Sequence, residues 1–181
     1  LALGLTACGT TDTDTSAATD GETTTIEIED NNGTQTVTIP PRSVVATDNR
    51  TFETLSDWGV PLTAGAVSLM PTTIAYKNDE SIIDLGNHRE PDLEAVVAAD
   101  PDLIINGQRF TQYEDDFVTL APNATVVALD PRDGEPFDAE LKRQTTVLGQ
   151  IFGKEAEAEQ LNADLDASIA RVKAAYQPGE T

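Results

Sequence analysis

Two short stretches near the start of the chain alternate apolar and polar positions: Thr25-Ile26-Glu27-Ile28-Glu29 and Thr36-Val37-Thr38-Ile39. A period of two predicts half-buried strands. Asn32-Gly33 lies between them and is the residue pair best suited to positive φ, so the segment is expected to be a β-hairpin. Pro40-Pro41 ends the second strand, because proline has no N–H to donate to a ladder.

From residue 43 the pattern changes. Ser43–Thr47 is a short apolar run of the kind buried on both faces of a parallel sheet. Asn49–Trp58 carries Phe52, Leu55 and Trp58 at helical spacing, and Gly59 stops it. Leu62–Val67 reads as a second strand, and residues 68–85 as a proline-containing loop or short helix. Pro91–Ala99 has proline at an expected helix N-terminus and a stripe of Leu93, Val96 and Val97. Asp102–Asn106 and Ala124–Leu129 are expected as the third and fourth strands, with a helix over Thr111–Leu120 between them. Strands alternating with helices imply βαβ units and a parallel sheet.

The last third is helical throughout. Ala139–Phe152 presents Leu141, Val147, Leu148 and Ile151, and Gly153 breaks it. Glu155–Tyr176 then runs without a breaker and carries Leu161, Leu165, Ile169 and Val172. At 1.5 Å per residue this is a rod of roughly 33 Å. The expected fold class is therefore α/β: a parallel-sheet βαβ lobe preceded by a β-hairpin and followed by a long helix.

Charge narrows the function. The chain has 32 acids, 11 bases and a formal charge of −21, which argues against nucleic acid and against electrostatic docking on an anionic membrane. One cysteine permits no intramolecular disulfide, and one histidine leaves few soft metal ligands. His88 with Glu90 and Asp92 offers a single nitrogen ligand, and the acids stand where they favour a helix dipole. No P-loop, Gly-x-Gly-x-x-Gly or nucleophile-elbow motif is present. The acidic run Glu114-Asp115-Asp116 is expected to be a solvated helix face.

The cysteine is Cys8, after Leu1-Ala2-Leu3-Gly4-Leu5-Thr6-Ala7. Small residues running into Leu-Thr-Ala-Cys resemble a bacterial lipobox, in which a peptidase cuts before the cysteine and its thiol carries a diacylglycerol. Residues 9–24 are small, hydroxylated or acidic and cannot bury enough apolar surface to offset their ordering entropy. They read as a tether. The expectation is a protein held by an N-terminal lipid on the extracytoplasmic face of the cell membrane.

Ligands of open parallel sheets bind beyond the C-terminal strand ends. Asn49 and Arg50 follow the first strand of the expected sheet, Tyr76 and Lys77 lie in the loop after the second, and His88 and Arg89 precede the next helix. Gln108 and Arg109 follow the third strand and Arg132 the fourth. Five basic side chains at one edge of so acidic a chain point to a cationic cleft for an anionic ligand, since guanidinium forks donate well to carboxylate or catecholate oxygens.

Several segments are similar to the iron–siderophore substrate-binding proteins of ABC importers. They are Ile39-Pro40-Pro41-Arg42-Ser43-Val44-Val45-Ala46, Gly86-Asn87-His88-Arg89-Glu90-Pro91-Asp92-Leu93-Glu94-Ala95-Val96, Asp100-Pro101-Asp102-Leu103-Ile104-Ile105, Leu120–Val127, and Leu148–Glu155 before the long helix. The resemblance covers roughly residues 36–176 and implies two α/β lobes joined by one rigid helix, with ligand between them. With the lipobox and tether readings it gives these units: residues 1–7, remnant of a lipoprotein signal peptide; 8–24, lipidated cysteine and disordered tether; 25–137, N-terminal substrate-binding lobe; 138–153, a helix packing on it; 154–177, the interlobe helix; and 178–181, a truncated end with the second lobe absent.

The resemblance makes Arg109 the foremost ligand residue, with Asn49, Arg50, Arg89 and Tyr76 as weaker ones. It implies a receptor rather than an enzyme, with no cofactor, taking a ferric siderophore, preferably a catecholate, and handing it to ABC permease subunits. Cobalamin or haem binders share the fold. Zinc and manganese binders use several histidines and fit less well. A cell-surface enzyme or sensor on the same scaffold, which would have to rely on His88, and a degenerate fragment without binding are the rival expectations.

Overall fold

The computed structural model describes residues 23–176. Cys8, the segment expected to be a tether and the last residues lie outside them. The chain opens with a hairpin of β1 (Thr24–Asp30) and β2 (Gly33–Ile39), paired antiparallel from Thr24↔Ile39 to Asp30↔Gly33. The turn lies one residue earlier than the sequence reading has it. Asn31-Asn32 form the connection, and Gly33 closes it at φ +111, where only glycine is unstrained.

The body alternates as expected, with shorter elements. β3 (Val44–Ala46), α1 (Phe52–Asp57), β4 (Ala64–Gly65) and β5 (Ile83–Asp84) come first. A small hairpin follows, β6 (Gly86–Asn87) and β7 (Glu90–Pro91), then α2 (Leu93–Ala99) and β8 (Leu103–Asn106). A 3-10 turn over Gln108–Tyr113 leads into α3 (Glu114–Leu120), then β9 (Thr125–Ala128), α4 (Phe137–Phe152) and α5 (Glu155–Ala175). The sheet is parallel and five-stranded, in the order β5-β4-β3-β8-β9.

Two elements depart from the sequence reading. The loop 68–85 supplies the edge strand β5, hidden because only two residues pair. Pro91 lies in β7 rather than in the first turn of α2, whose N-cap is Asp92, accepting from the Ala95 N–H at 3.0 Å. An aspartate cap of this kind contributes ~1 kcal/mol.

The central strands are buried on both faces. Val44, Val45, Ala46, Leu103, Ile104, Ile105 and Val127 are all essentially inaccessible, which is why the runs are continuous rather than alternating. Phe52 and Leu55 of α1, Phe117 of α3 and Leu148 and Ile151 of α4 complete the core. The first hairpin lies against the β9 edge: Asn31 N–H donates to the Ala128 carbonyl (2.9 Å), and Ala128 N–H to Asp30 Oδ2 (2.9 Å). An edge strand with unpaired backbone is thereby covered.

α4 and α5 form an antiparallel pair at the turn of Gly153, a left-handed C-cap at φ +62. Their closest approach is at Gly149, where a Cβ would lie 2.7 Å from the Ala158 Cβ. Lys142 Nζ pairs with Asp166 Oδ1 at 2.6 Å across the two helices. The apolar stripe of α5 is only partly covered: Ala158 is buried, Leu165 and Ile169 are half-buried, and Val172 is exposed.

Candidate ligand-binding cleft

The C-terminal ends of β3, β4 and β8 open onto a crevice. Its inner part, of about 320 Å³, is lined by Thr47, Asn49, Leu69, His88, Gln108 and Arg109 over Phe110. It continues into a shallower depression of about 530 Å³ lined by His88, Arg89, Arg109, Thr111, Gln112 and Tyr113. Every charge on these two linings is basic. In a chain of net charge −21, that places an electropositive spot where a parallel sheet takes its ligands.

A buried polar frame supports the crevice. The Asp48 carboxylate, fully buried, accepts from Arg50 Nη2 at 2.9 Å and from Gln144 Nε2 of α4 at 2.8 Å. Arg50 also bonds Asp130 after β9. Burial works against the Arg50 charge, but the two carboxylates outweigh it and hold the guanidinium above its ordinary value. Gly107 passes so close to Asp48 that a Cβ there would lie 2.6 Å from the carboxyl carbon.

The frame sets the next residues. Both Asp130 carboxylate oxygens accept from the Gln108 N–H, at 2.9 and 3.0 Å. Gln108 takes φ +59, a left-handed conformation that costs a non-glycine residue about 1 kcal/mol and persists where the surroundings over-determine it. Arg109 follows directly and is exposed on the crevice. Its Nη1 lies 2.8 Å from His88 Nε2.

The residues singled out in the sequence separate into two groups. Arg109, Asn49 and Arg89 line the crevice or its continuation. Arg50 does not; it belongs to the frame beneath, paired with Asp48 and Asp130. Tyr76 is buried in the core, where its hydroxyl donates to the Val60 carbonyl. Burial pushes its phenol up, and it has no part in the cleft. Lys77 donates to the Val67 carbonyl (2.8 Å), and Arg132 is spent on Glu140 (2.6 Å). The expected cluster of five cations therefore reduces to two, with His88 beside them.

Sequence reasoning missed the frame and part of the lining. Asp48 sits one residue beyond the apolar run 43–47 and two before an arginine, a signal visible in the sequence; Gln144 on a helix a hundred residues away gave none. Glu114 is also not purely solvated: its carboxylate accepts from Asn32 Nδ2 at 2.7 Å. His88 does not turn to Asp92, which caps α2.

Two further hollows lie around Trp58. One, of about 680 Å³, is lined by Glu53, Asp57, Glu157 and Asp164, which repel anions. The other, of about 470 Å³, lies between Pro40, Pro41, Val60 and Phe152, at the start of β3 and so at the opposite end of the sheet. Neither offers the chemistry of the crevice.

Known proteins share this fold. The chain is 31% identical over 176 residues to the petrobactin-binding protein YclQ of Bacillus subtilis, covering 95% of this chain and 54% of that protein. It is 29% identical over 153 residues to the ferric-anguibactin-binding protein FatB of Vibrio anguillarum, covering 83% and 47%. The chain thus spans about half the length of these curated relatives. Among solved structures, the siderophore-binding protein BauB superposes with a TM-score of 0.74 at 27% identity, over 86% of this chain and 56% of BauB. Crystalline YclQ superposes with a TM-score of 0.72 at 26% identity, over 83% and 53%. Residues 44–180, from the first strand of the parallel sheet onward, match the profile of the periplasmic binding proteins, and the chain belongs to that family.

Proposed function

We propose that this chain is the N-terminal lobe of a solute receptor that captures a ferric siderophore for an ABC importer. The observation that carries the reading is the crevice at the strand ends, lined by Arg109 and Arg89 and by no carboxylate, in a strongly acidic protein. A ferric siderophore with net negative charge is held there by N–H donors rather than by replacing its iron ligands. Planar guanidinium forks match pairs of adjacent oxygens, which favours catecholate types. Two relatives that bind petrobactin and ferric anguibactin support the ligand class.

The protein acts by binding and release, not by turnover. Arg109, Asn49 and Arg89 contact ligand from this lobe. α5 is the rigid connector towards a second lobe that closes the site, and permease subunits receive the loaded receptor. Leu5-Thr6-Ala7-Cys8 supports lipid anchoring at Cys8 on the extracytoplasmic face, with the tether letting the lobe stand off the membrane.

The test is calorimetric titration of the full-length receptor with ferric petrobactin, ferric anguibactin, cobalamin and haem. Trp58 is a poor optical reporter, because it faces the hollows away from the crevice. Saturable binding of a ferric siderophore in preference to cobalamin and haem is expected. Failure of both ferric siderophores to bind overturns the proposal.

A further inference from the structure

We propose that His88 is a positioning residue for Arg109 and acts as a neutral imidazole carrying its proton on Nδ1. A guanidinium has five N–H donors and no acceptor. In the 2.8 Å contact between Arg109 Nη1 and His88 Nε2, Arg109 must donate and Nε2 must supply the lone pair. The ring proton then sits on Nδ1, since the bond at one nitrogen sets the tautomer at the other.

The backbone on both sides of this contact is fastened. Gln112 Nε2 donates to the Arg109 carbonyl at 2.8 Å and reaches the His88 carbonyl at 3.4 Å. Tyr113 Oη donates to the Arg89 carbonyl at 2.9 Å. What remains free is the long Arg109 side chain, with many rotamers open to it. One acceptor on Nη1 narrows that freedom before ligand arrives and leaves the other four N–H groups to donate.

The choice of acceptor has a consequence. Arg50 and Arg132 are held by the carboxylates of Asp48, Asp130 and Glu140, which cancel their charge. An imidazole holds Arg109 without cancelling it. The charged groups lining the two depressions with His88 are Arg109, across from it after β8, and Arg89 beside it. Protonation of His88 removes the acceptor and adds a third cation, so Arg109 is released and repelled. The effect on affinity rests on the anionic-ligand reading above; the tautomer does not.

His88 is the only histidine of these 181 residues; in the full-length receptor with nitrogen-15-labelled histidine, its ring is identified in a long-range proton–nitrogen correlation spectrum by the signals lost in His88→Gln. The neutral ring should show the Nδ1–H tautomer, and Arg109→Met should abolish that preference. In titrations with ferric petrobactin or ferric anguibactin, His88→Gln, whose amide oxygen can accept, should stay near the unsubstituted affinity. His88→Leu should lose about tenfold, the effect of one hydrogen bond from a charged donor. Lowering the pH should weaken the unsubstituted protein more than His88→Gln. An Nε2–H tautomer, or unchanged affinity in His88→Leu, overturns the proposal. If no ferric siderophore binds at all, the receptor reading fails, while the ring spectrum still decides the tautomer.

Discussion

Gly107 and Asp48 meet where β8 and β3 end, with no space for a β-carbon between them: one placed on Gly107 would stand 2.6 Å from Asp48 Cγ. The backbone at Gly107 is extended, at φ −178, so the requirement for glycine is steric and not conformational. Gly107→Ala must therefore push Asp48 away from Arg50 and Gln144, its partners at 2.9 and 2.8 Å. The expected cost is about 1–3 kcal/mol, as for overpacking of a filled core. Thermal unfolding by circular dichroism should show a lowered Tm. An unchanged Tm would mean that Asp48 relaxes freely and that the frame is not rigid.

Arg50 and Arg109 look alike in the sequence, yet the structure gives them opposite surroundings: Arg50 is paired in the frame and Arg109 lines the crevice. Replacing Arg50 by methionine leaves the Asp48 carboxylate buried without its main partner, and the loss should be about 3–5 kcal/mol. Arg109→Met removes an exposed side chain whose one polar contact among the described residues is His88, and stability should stay within ~0.5 kcal/mol. On ferric-siderophore affinity the order reverses in kind: Arg109→Met should weaken binding roughly 10- to 100-fold through lost charge-assisted bonds. Denaturant unfolding and calorimetry on the same two variants separate the cases. Equal destabilisation by both would contradict the assignment.

The contrast shows what the sequence could carry. The parallel sheet, the helices α4 and α5 and the strand-end location of the cleft are all legible, because they follow from apolar periodicity and from the general habit of parallel sheets. Which arginine lines the crevice is not. Arg50 and Arg109 each follow a buried strand; Asp48, two residues before Arg50, is the one local sign that separates them, and the arrival of Asp130 from β9 completes the difference. The burial of Tyr76 is hidden from the sequence for a related reason. Its loop holds a 3-10 turn that drives the ring into the core, and 3-10 turns leave little periodic trace. The frame residue Gln144 acquires its role from a contact 96 residues away in the chain.

Cys8 lies outside the described residues, so its chemistry is best tested directly. Expressed in a bacterial host behind a lipoprotein signal sequence, the protein should incorporate labelled palmitate and partition with membranes. Cys8→Ser should abolish both, because serine offers no sulfur for the thioether. Labelled lipid retained in Cys8→Ser would place the acyl group elsewhere and remove the anchor from the proposal.

Glu140 on α4 makes stability depend on acid. Its buried carboxylate accepts from Arg132 Nη2 at 2.6 Å and Arg143 Nη2 at 3.0 Å. The hydrogen bond from Arg132 is the largest influence, burial opposes it, and Arg143 adds to it; the carboxyl is lowered from 4.5 to about 2. A folded-state value below the unfolded one means that the unfolded chain binds more protons between them, so stability rises with pH in that window. The contribution is complete above pH 4.5 and is lost as pH falls towards 2. Arg143 also donates to Asn31 Oδ1 (2.8 Å) and the Asp130 carbonyl (3.1 Å), so the same ion cluster ties the first hairpin to the end of β9. Glu140→Gln should therefore be less stable at neutral pH and show a flatter stability profile between pH 4.5 and 2 than the unsubstituted protein, in urea titrations at each pH. Parallel profiles for the two proteins would show that acid sensitivity in this range arises from other carboxylates.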